Sequence, residues 1–208
     1  MKYFYCLIIL FSTTIGLEAQ KDFYKDYTFT AADTLRGMLR PERTAYDVSF
    51  YELHITIDPD RKWLAGHVDI HYEAKADFTR LQIDLYRNMA IQKIEFDGQS
   101  LDYDRQFDAV FVDFPMQQKG SRGKFRVYYD GHPTEAKDPP WKGGFVWEKD
   151  RIGNYWIGVA CEGDGASLWW PNKDHLSDEP DSMSISVAVP RNLFCAANGN
   201  FRSMEDVL

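Results

Sequence analysis

From Tyr51 onward the chain alternates apolar and polar side chains with a period of two: Tyr51, Leu53, Ile55 and Ile57 interleave with Glu52, His54, Thr56 and Asp58. Only an extended backbone puts every second residue on one side, so the pattern excludes a helix and predicts a half-buried strand. Pro59-Asp60-Arg61-Lys62 is a short polar link. Beyond it Leu64, Gly66, Val68, Ile70 and Tyr72 share one face, and Ala65, His67, Asp69, His71 and Glu73 the other. Two such runs joined by a short link predict an antiparallel hairpin. Pairing Ile57 with Leu64 sets His54 opposite His67 on the polar face.

The same signature recurs in Leu81-x-Ile83-x-Leu85, in Ile91–Phe96 before the turn dipeptide Asp97-Gly98, and in Val110, Val112 and Phe114 before Pro115. It returns in Phe125, Val127 and Tyr129 before Asp130-Gly131, in the apolar run Tyr155–Ala160, and in Met183, Ile185, Val187 and Val189 before Pro190. Short strands between turn signals predict an all-β domain, an antiparallel β-sandwich or a pair of open, curved sheets. Pro133–Asn154, with Pro139-Pro140-Trp141 and Gly143-Gly144, is expected to be one long irregular loop, a kind of segment that often carries function.

Before the domain come two segments of different character. Lys2, the apolar run Tyr3–Phe11 and Leu17-Glu18-Ala19 have the order of a secretory signal peptide over residues 1–19, so the protein is expected to be exported, to a periplasm or outside the cell. Residues 20–44 are a polar extension with a short helix expected around Thr30–Leu39, where Asp33 is placed to cap a later start. The β-domain then occupies residues 45–208. Asn198-Gly199-Asn200 predicts a turn into one more strand, so the chain is expected to be truncated before a further domain. The mature chain keeps Cys161 and Cys195, read as two buried thiols rather than a bridge; three cysteines are too few for a disulfide scaffold.

Lys and Arg total 24 against 32 Asp and Glu, a net charge of −8, which argues against nucleic acid or anionic lipid as a partner. No stretch approaches the roughly 20 apolar residues of a membrane span. There is no His-Glu-x-x-His, no Gly-x-Ser-x-Gly and no phosphate-cradling glycine loop, so no catalytic centre and no metal site is expected within this chain. His54, His67 and His71 are read as a solvated strand face, because a metal site needs fixed ligands with supporting partners.

The densest stretch runs from Trp156 to Asp181. Glu162 follows an apolar strand and precedes Gly163 and Gly165. A carboxylate at a strand end, beside glycines that allow close approach, is suited to accept hydrogen bonds from an ammonium group. Trp169 and Trp170 either wall a pocket or pack on the core, with packing favoured. Asp174, Asp178, Glu179 and Asp181 add negative charge. The plain alternative is a solvated acidic loop.

Tyr46-Asp47-Val48, Tyr51-x-Leu53-x-Ile55-x-Ile57-Asp58-Pro59, Gly66-x-Val68-x-Ile70, Leu81-x-Ile83-Asp84-Leu85, and above all Cys161-Glu162-Gly163 leading through Trp170-Pro171 to Asp178-x-Pro180, resemble the N-terminal domain of the aminopeptidase N family. These are gluzincin zinc aminopeptidases that include leukotriene-A hydrolase, and the likeness covers about residues 45–200. The resemblance implies a saddle-like β-domain that covers the active site of a following catalytic domain. It implies that Glu162 binds the free α-amine of a peptide substrate, with Gly163 and Gly165 shaping its loop. It also implies zinc in the parent enzyme, held by ligands outside this chain. Val159-Ala160, where many relatives have Thr-Gln, and the expanded Gly163–Ser167 segment bear on side-chain preference at the first subsite. The competing expectation is a secreted, non-catalytic β-sandwich binding module for carbohydrate or a protein partner, using Trp141, Trp147, Trp169 and Trp170 as aromatic surfaces.

Overall fold

The computed structural model describes residues 28–139 and 141–206, so the expected leader lies outside the described residues. The chain opens with helices α1 (Ala31–Gly37) and α2 (Pro41–Thr44). Strands follow as β1 (Tyr46–Asp58), β2 (Trp63–Ala74), β3 (Phe78–Asp84), β4 (Met89–Phe96), β5 (Gln99–Ser100), β6 (Tyr103–Gln106) and β7 (Ala109–Gln117). They continue as β8 (Arg122–Gly131), β9 (Gly144–Lys149), β10 (Tyr155–Ala160) and, after a 3₁₀ turn at Ala166–Leu168, β11 (Ser182–Ala188). The all-β expectation holds.

Helix α1 is capped one turn earlier than the sequence suggests. Thr30, not Asp33, is the N-cap: its hydroxyl accepts from the Asp33 N–H, and the Asp33 carboxylate accepts from the Thr30 N–H at 2.7 Å. That reciprocal pair satisfies two helix-end donors at once. Pro41 then starts α2, where its missing N–H costs nothing.

A six-stranded sheet has the order β11-β1-β2-β8-β4-β5, and a three-stranded sheet the order β3-β7-β6. The β1–β2 hairpin has the expected register, with Ile57 opposite Leu64 and His54 opposite His67. A bulge between Val48 and Phe50 switches the inward phase of β1 from Tyr46 and Val48 to Tyr51, Leu53 and Ile55. One pairing departs from the antiparallel expectation: β11 runs parallel to β1, with Leu53 opposite Ile185. A parallel partner needs a long connection; here it is the whole chain from 59 to 181, whose last part, residues 161–181, carries β11 back to β1. The predicted strand after Asn198-Gly199 does not form, and residues 201–206 carry no regular structure.

The two sheets enclose one core. Leu53, Ile55, Val68, Ile70, Phe125 and Val127 of the larger sheet share a cluster with Leu81, Ile83, Val110, Val112 and Phe114 of the smaller. Edge-on aromatic contacts bind the layers, Phe114 lying 5.3 Å from both Phe125 and Phe96 of the larger sheet between ring centroids. The smaller sheet is covered on its other side as well. Leu81, Gln82, Ile83 and Asp84 are all buried, and Leu35 of α1 packs on Ala109 and Phe111. The N-terminal extension is thus a third layer.

The segment expected to be a long loop contains β9, which pairs with β10 so that Phe145 opposes Val159 and Trp147 opposes Ile157. Gly144, at a φ of +138°, fits close to the Thr134 carbonyl and lets β9 begin there. The Gly-Gly signal therefore marks the entrance to a hairpin, and among the described residues of that segment the turn 150–154 and the stretch before Gly144 remain outside strands.

The outer face of the larger sheet is polar, as expected. The His54 and His67 rings stack with centroids 4.7 Å apart. Asp69 is fully buried there beneath Lys124 (3.1 Å) and Arg126 (2.8 Å). Burial pushes its carboxyl up, but the hydrogen bonds from Arg126 and Lys124 outweigh it and hold the pKa at about 2, against an ordinary 3.8.

Two predictions follow from this packing. A Cβ on Gly66 would lie 2.0 Å from the His54 carbonyl oxygen, whereas one on Gly158 would meet nothing within 4 Å. Gly66→Ala should cost about 3 kcal/mol in urea denaturation, and Gly158→Ala close to nothing. For Asp69 the folded pKa lies below the unfolded one, so its stabilisation is complete above about pH 4 and fades as pH falls toward 2. Between pH 4.5 and 2, Asp69→Asn should remove about 2 kcal/mol of the wild-type loss of stability, measured by denaturant midpoints.

Candidate functional site

Strand β10 ends at Ala160, and the next five residues fold into a tight turn closed by the Gly165 N–H donating to the Cys161 carbonyl at 2.8 Å. Gly163 and Gly165 both sit at a φ of +78°, a region that side chains strain, which accounts for glycine at each. Their surroundings differ. Gly163 faces open space, whereas Gly165 lies flat against the Asp174 carboxylate, where a Cβ would come within 2.0 Å of an oxygen. The three residues singled out in the sequence are thus brought together in one turn, with Glu162 and Gly163 exposed at its tip and Gly165 at its base.

Asp164 points the opposite way from Glu162. Its carboxylate accepts the Gly143 N–H at 2.6 Å, and its carbonyl accepts the Tyr86 hydroxyl at 3.2 Å and the Arg36 guanidinium. Among the described residues, the Glu162 carboxylate has no hydrogen-bond or ion-pair partner. The turn is therefore anchored through its inward acid while the outward acid stays free. Asp164, Arg36, Tyr86 and Gly143 were missed by the sequence reading. No sequence pattern would have found them, because their contacts to the turn join segments far apart in the chain.

Asp174 and Asp178 are structural, whereas Glu179 and Asp181 are exposed and, like Glu162, have no side-chain partner among the described residues. Asp174 accepts from the Ser167 hydroxyl at 2.5 Å, and its own N–H donates to Asp84 at 3.2 Å. Asp178 accepts from the Val48 N–H at 3.2 Å and is paired with the buried Lys173, whose ammonium also donates to the Tyr46 carbonyl at 2.6 Å. Burial pulls the Lys173 pKa down, with Asp178 opposing it. Arg43, fully buried, donates to Asp84 at 2.7 Å and to the Leu35 and Asp174 carbonyls. Gln82 adds a donor to Asp84 at 3.0 Å. Burial pushes Asp84 up to about 7, with the Arg43 guanidinium pulling the other way.

The tryptophans divide clearly. Trp170 is buried edge-on to Tyr51 at 4.9 Å, Trp169 meets Phe145 at 5.9 Å, and Trp147 stacks on Phe145 at 5.1 Å. These pack the fold. Of the four aromatic candidates Trp141 remains largely exposed, as does Trp156, which was not among them. Cys161 and Cys195 are free, half-buried thiols. Among the described residues no cluster of three or more His, Cys, Asp or Glu side chains is arranged to hold a metal ion, the stacked histidines included.

The two glycines give a paired prediction. Gly165→Ala should collide with Asp174 and cost about 3 kcal/mol, while Gly163→Ala should cost only backbone strain, about 1 kcal/mol. Thermal denaturation of both variants checks the ranking.

No protein-family profile and no curated protein matches the chain. Solved structures do. A two-domain M1 zinc metallopeptidase mutant bound to L-arginine is 26% identical at a TM-score of 0.64, over 78% of this chain and 37% of that one. The M1 zinc metallopeptidase from Deinococcus radiodurans is 24% identical at a TM-score of 0.63, over 78% and 36%. Native leukotriene A4 hydrolase from Saccharomyces cerevisiae is 13% identical at a TM-score of 0.55, over 71% and 24%. The chain spans well under half the length of each. Its fold is that of the N-terminal domain of M1 aminopeptidases.

Proposed function

We propose that this chain is the substrate-side domain of a zinc aminopeptidase, and that Glu162 receives the free α-amine of the peptide. The likeness to M1 zinc metallopeptidases supports the first part. The observation that carries the second is the Glu162 carboxylate itself, exposed and unpaired at the tip of a turn whose backbone is fixed on its inner side. A carboxylate already engaged by lysine or arginine would first have to give up that partner; this one does not.

The chemistry suits an exopeptidase. A charge-assisted hydrogen bond from ammonium to carboxylate fixes the end of the peptide, and with it the register of the bond to be cut. An amide-capped N-terminus has no cation to offer and would lose that contact. The described residues do not fit a zinc site. On this reading zinc would be held by ligands outside the described residues, and what this domain contributes is binding and register. Export through the residues 1–19 leader is part of the same proposal and would place the enzyme among extracytoplasmic peptides.

The test uses full-length protein and a short peptide with either a free or an acetylated N-terminus. Glu162→Gln preserves shape and removes charge. It should lower kcat/KM for the free peptide roughly tenfold to a hundredfold, mostly through KM. Unchanged turnover would remove Glu162 from the amine site. Equal cleavage of the two wild-type substrates would reject the aminopeptidase reading itself.

A further inference from the structure

Asp164, two residues beyond Glu162, is gripped from beneath by parts of the chain that lie far away in sequence. The Tyr86 hydroxyl, just after β3, donates to its carbonyl at 3.2 Å, and Arg36, in the last turn of α1, donates to the same oxygen. Arg36 also donates to the Tyr86 hydroxyl at 3.1 Å, and its Cζ lies 5.8 Å from the centre of the Tyr86 ring. The same guanidinium is 3.7 Å from Asp174 Oδ2, the carboxylate against which Gly165 is pressed. One side chain of the N-terminal extension thus reaches the carbonyl of the turn, the tyrosine that shares it and the acid at its base.

Beside α1, at the end of β3, lies a cleft of about 90 Å³ lined by Asp33, Arg36, Asp84, Tyr86, Asp108 and Ser167. The guanidinium and the phenol bridge it. Arg36 is not itself part of the apolar packing: α1 is seated by Leu35 on Ala109 and Phe111, and the Arg36 side chain is 39% exposed. Its removal leaves that seating in place while withdrawing one of the two donors to the Asp164 carbonyl and the donor that holds the Tyr86 hydroxyl.

We propose that Arg36 and Tyr86 are positioning residues for Glu162, so that the N-terminal extension sets the height and stiffness of the amine-binding turn. This rests on the reading of Glu162 given above. Without the bridge the turn keeps its Cys161–Gly165 hydrogen bond and its Gly143 anchor, but its inner carbonyl loses the donors that hold it against the cleft. Glu162 then samples several positions, and each binding event must select one of them.

The experiment compares Arg36→Met, Arg36→Lys, Tyr86→Phe and Glu162→Gln in full-length protein. The first readout is hydrogen exchange of the 161–165 amides without substrate, with β2 amides as internal reference. Arg36→Met should speed exchange of the Gly165 amide about tenfold while leaving β2 unchanged. The second is kinetics on an unblocked peptide: KM should rise about tenfold with kcat within about twofold, Tyr86→Phe should give a smaller rise, and Arg36→Lys should recover part of it. Val112→Ala, in the core, serves as a variant of lowered global stability that should leave KM alone. Unchanged 161–165 exchange in Arg36→Met, or acceleration shared equally by β2, overturns the positioning role. If Arg36→Met loosens the turn but Glu162→Gln leaves turnover intact, the amine-site reading fails while the anchoring stands. If Glu162→Gln is crippled and Arg36→Met alters neither exchange nor KM, the anchoring alone fails.

Discussion

Arg43 and Asp84 form an ion pair at 2.7 Å with neither side chain open to water. Taking two charges out of solvent is costly, and the attraction between them offsets that cost only where further hydrogen bonds satisfy the remaining donors and acceptors. Here Gln82, the Asp174 N–H and the Leu35 and Asp174 carbonyls satisfy most of them, with the Arg43 Nε left unpartnered among the described residues. Those partners come from α1, α2, β3 and the 161–181 segment that leads to β11. The pair cannot form until all four are in place, so it makes their arrangement cooperative. It joins the helical layer to the smaller sheet at the point where the substrate-side turn is built.

From that pair outward the geometry propagates through Asp174. Its N–H is fixed by Asp84, and its carboxylate is held by Ser167 and backs onto Gly165. Each contact removes a freedom from that segment, which would otherwise be a 21-residue excursion of the backbone from 161 to 181. Lys173 and Asp178 do the same at its far end by engaging the backbone of Tyr46 and Val48. With both ends pinned, β11 is delivered alongside β1 in parallel, a pairing that local hairpin geometry does not produce.

This division explains what the amino-acid sequence discloses. Strand alternation is a property of neighbours, so β1, β2, β7 and β8 and the His54–His67 register are legible. Arg43 and Lys173 are not: a charged residue reads as exposed, and only the fold supplies the partners that allow its burial. The β9 strand is hidden because its residues alternate poorly and its bounding Gly-Gly reads as loop. The parallel pairing of β11 is hidden because its pattern matches an antiparallel strand equally well. At the site, Glu162, Gly163 and Gly165 were legible because an acid among glycines after a strand is a local signal. Arg36 and Tyr86 act across about 80 to 130 residues of chain, and no spacing rule connects them to it.

A free carboxylate and a rigid carboxylate are normally competing demands. Partners that fix a side chain also occupy its oxygens, and an acid without partners is usually on a mobile loop. The turn at 161–165 separates the two demands between two acids. Asp164 takes the anchoring contacts and leaves Glu162, two residues away on the opposite side, with backbone rigidity and open acceptors. Gly163 between them supplies the reversal of direction that a chiral residue resists. The same logic explains why the acidic composition of the 156–181 stretch is a poor guide to its chemistry. Asp174 and Asp178 are consumed in holding the fold; among the described residues Glu162, Glu179 and Asp181 keep free carboxylates, and of these only Glu162 stands on a turn braced from beneath by its neighbouring acid.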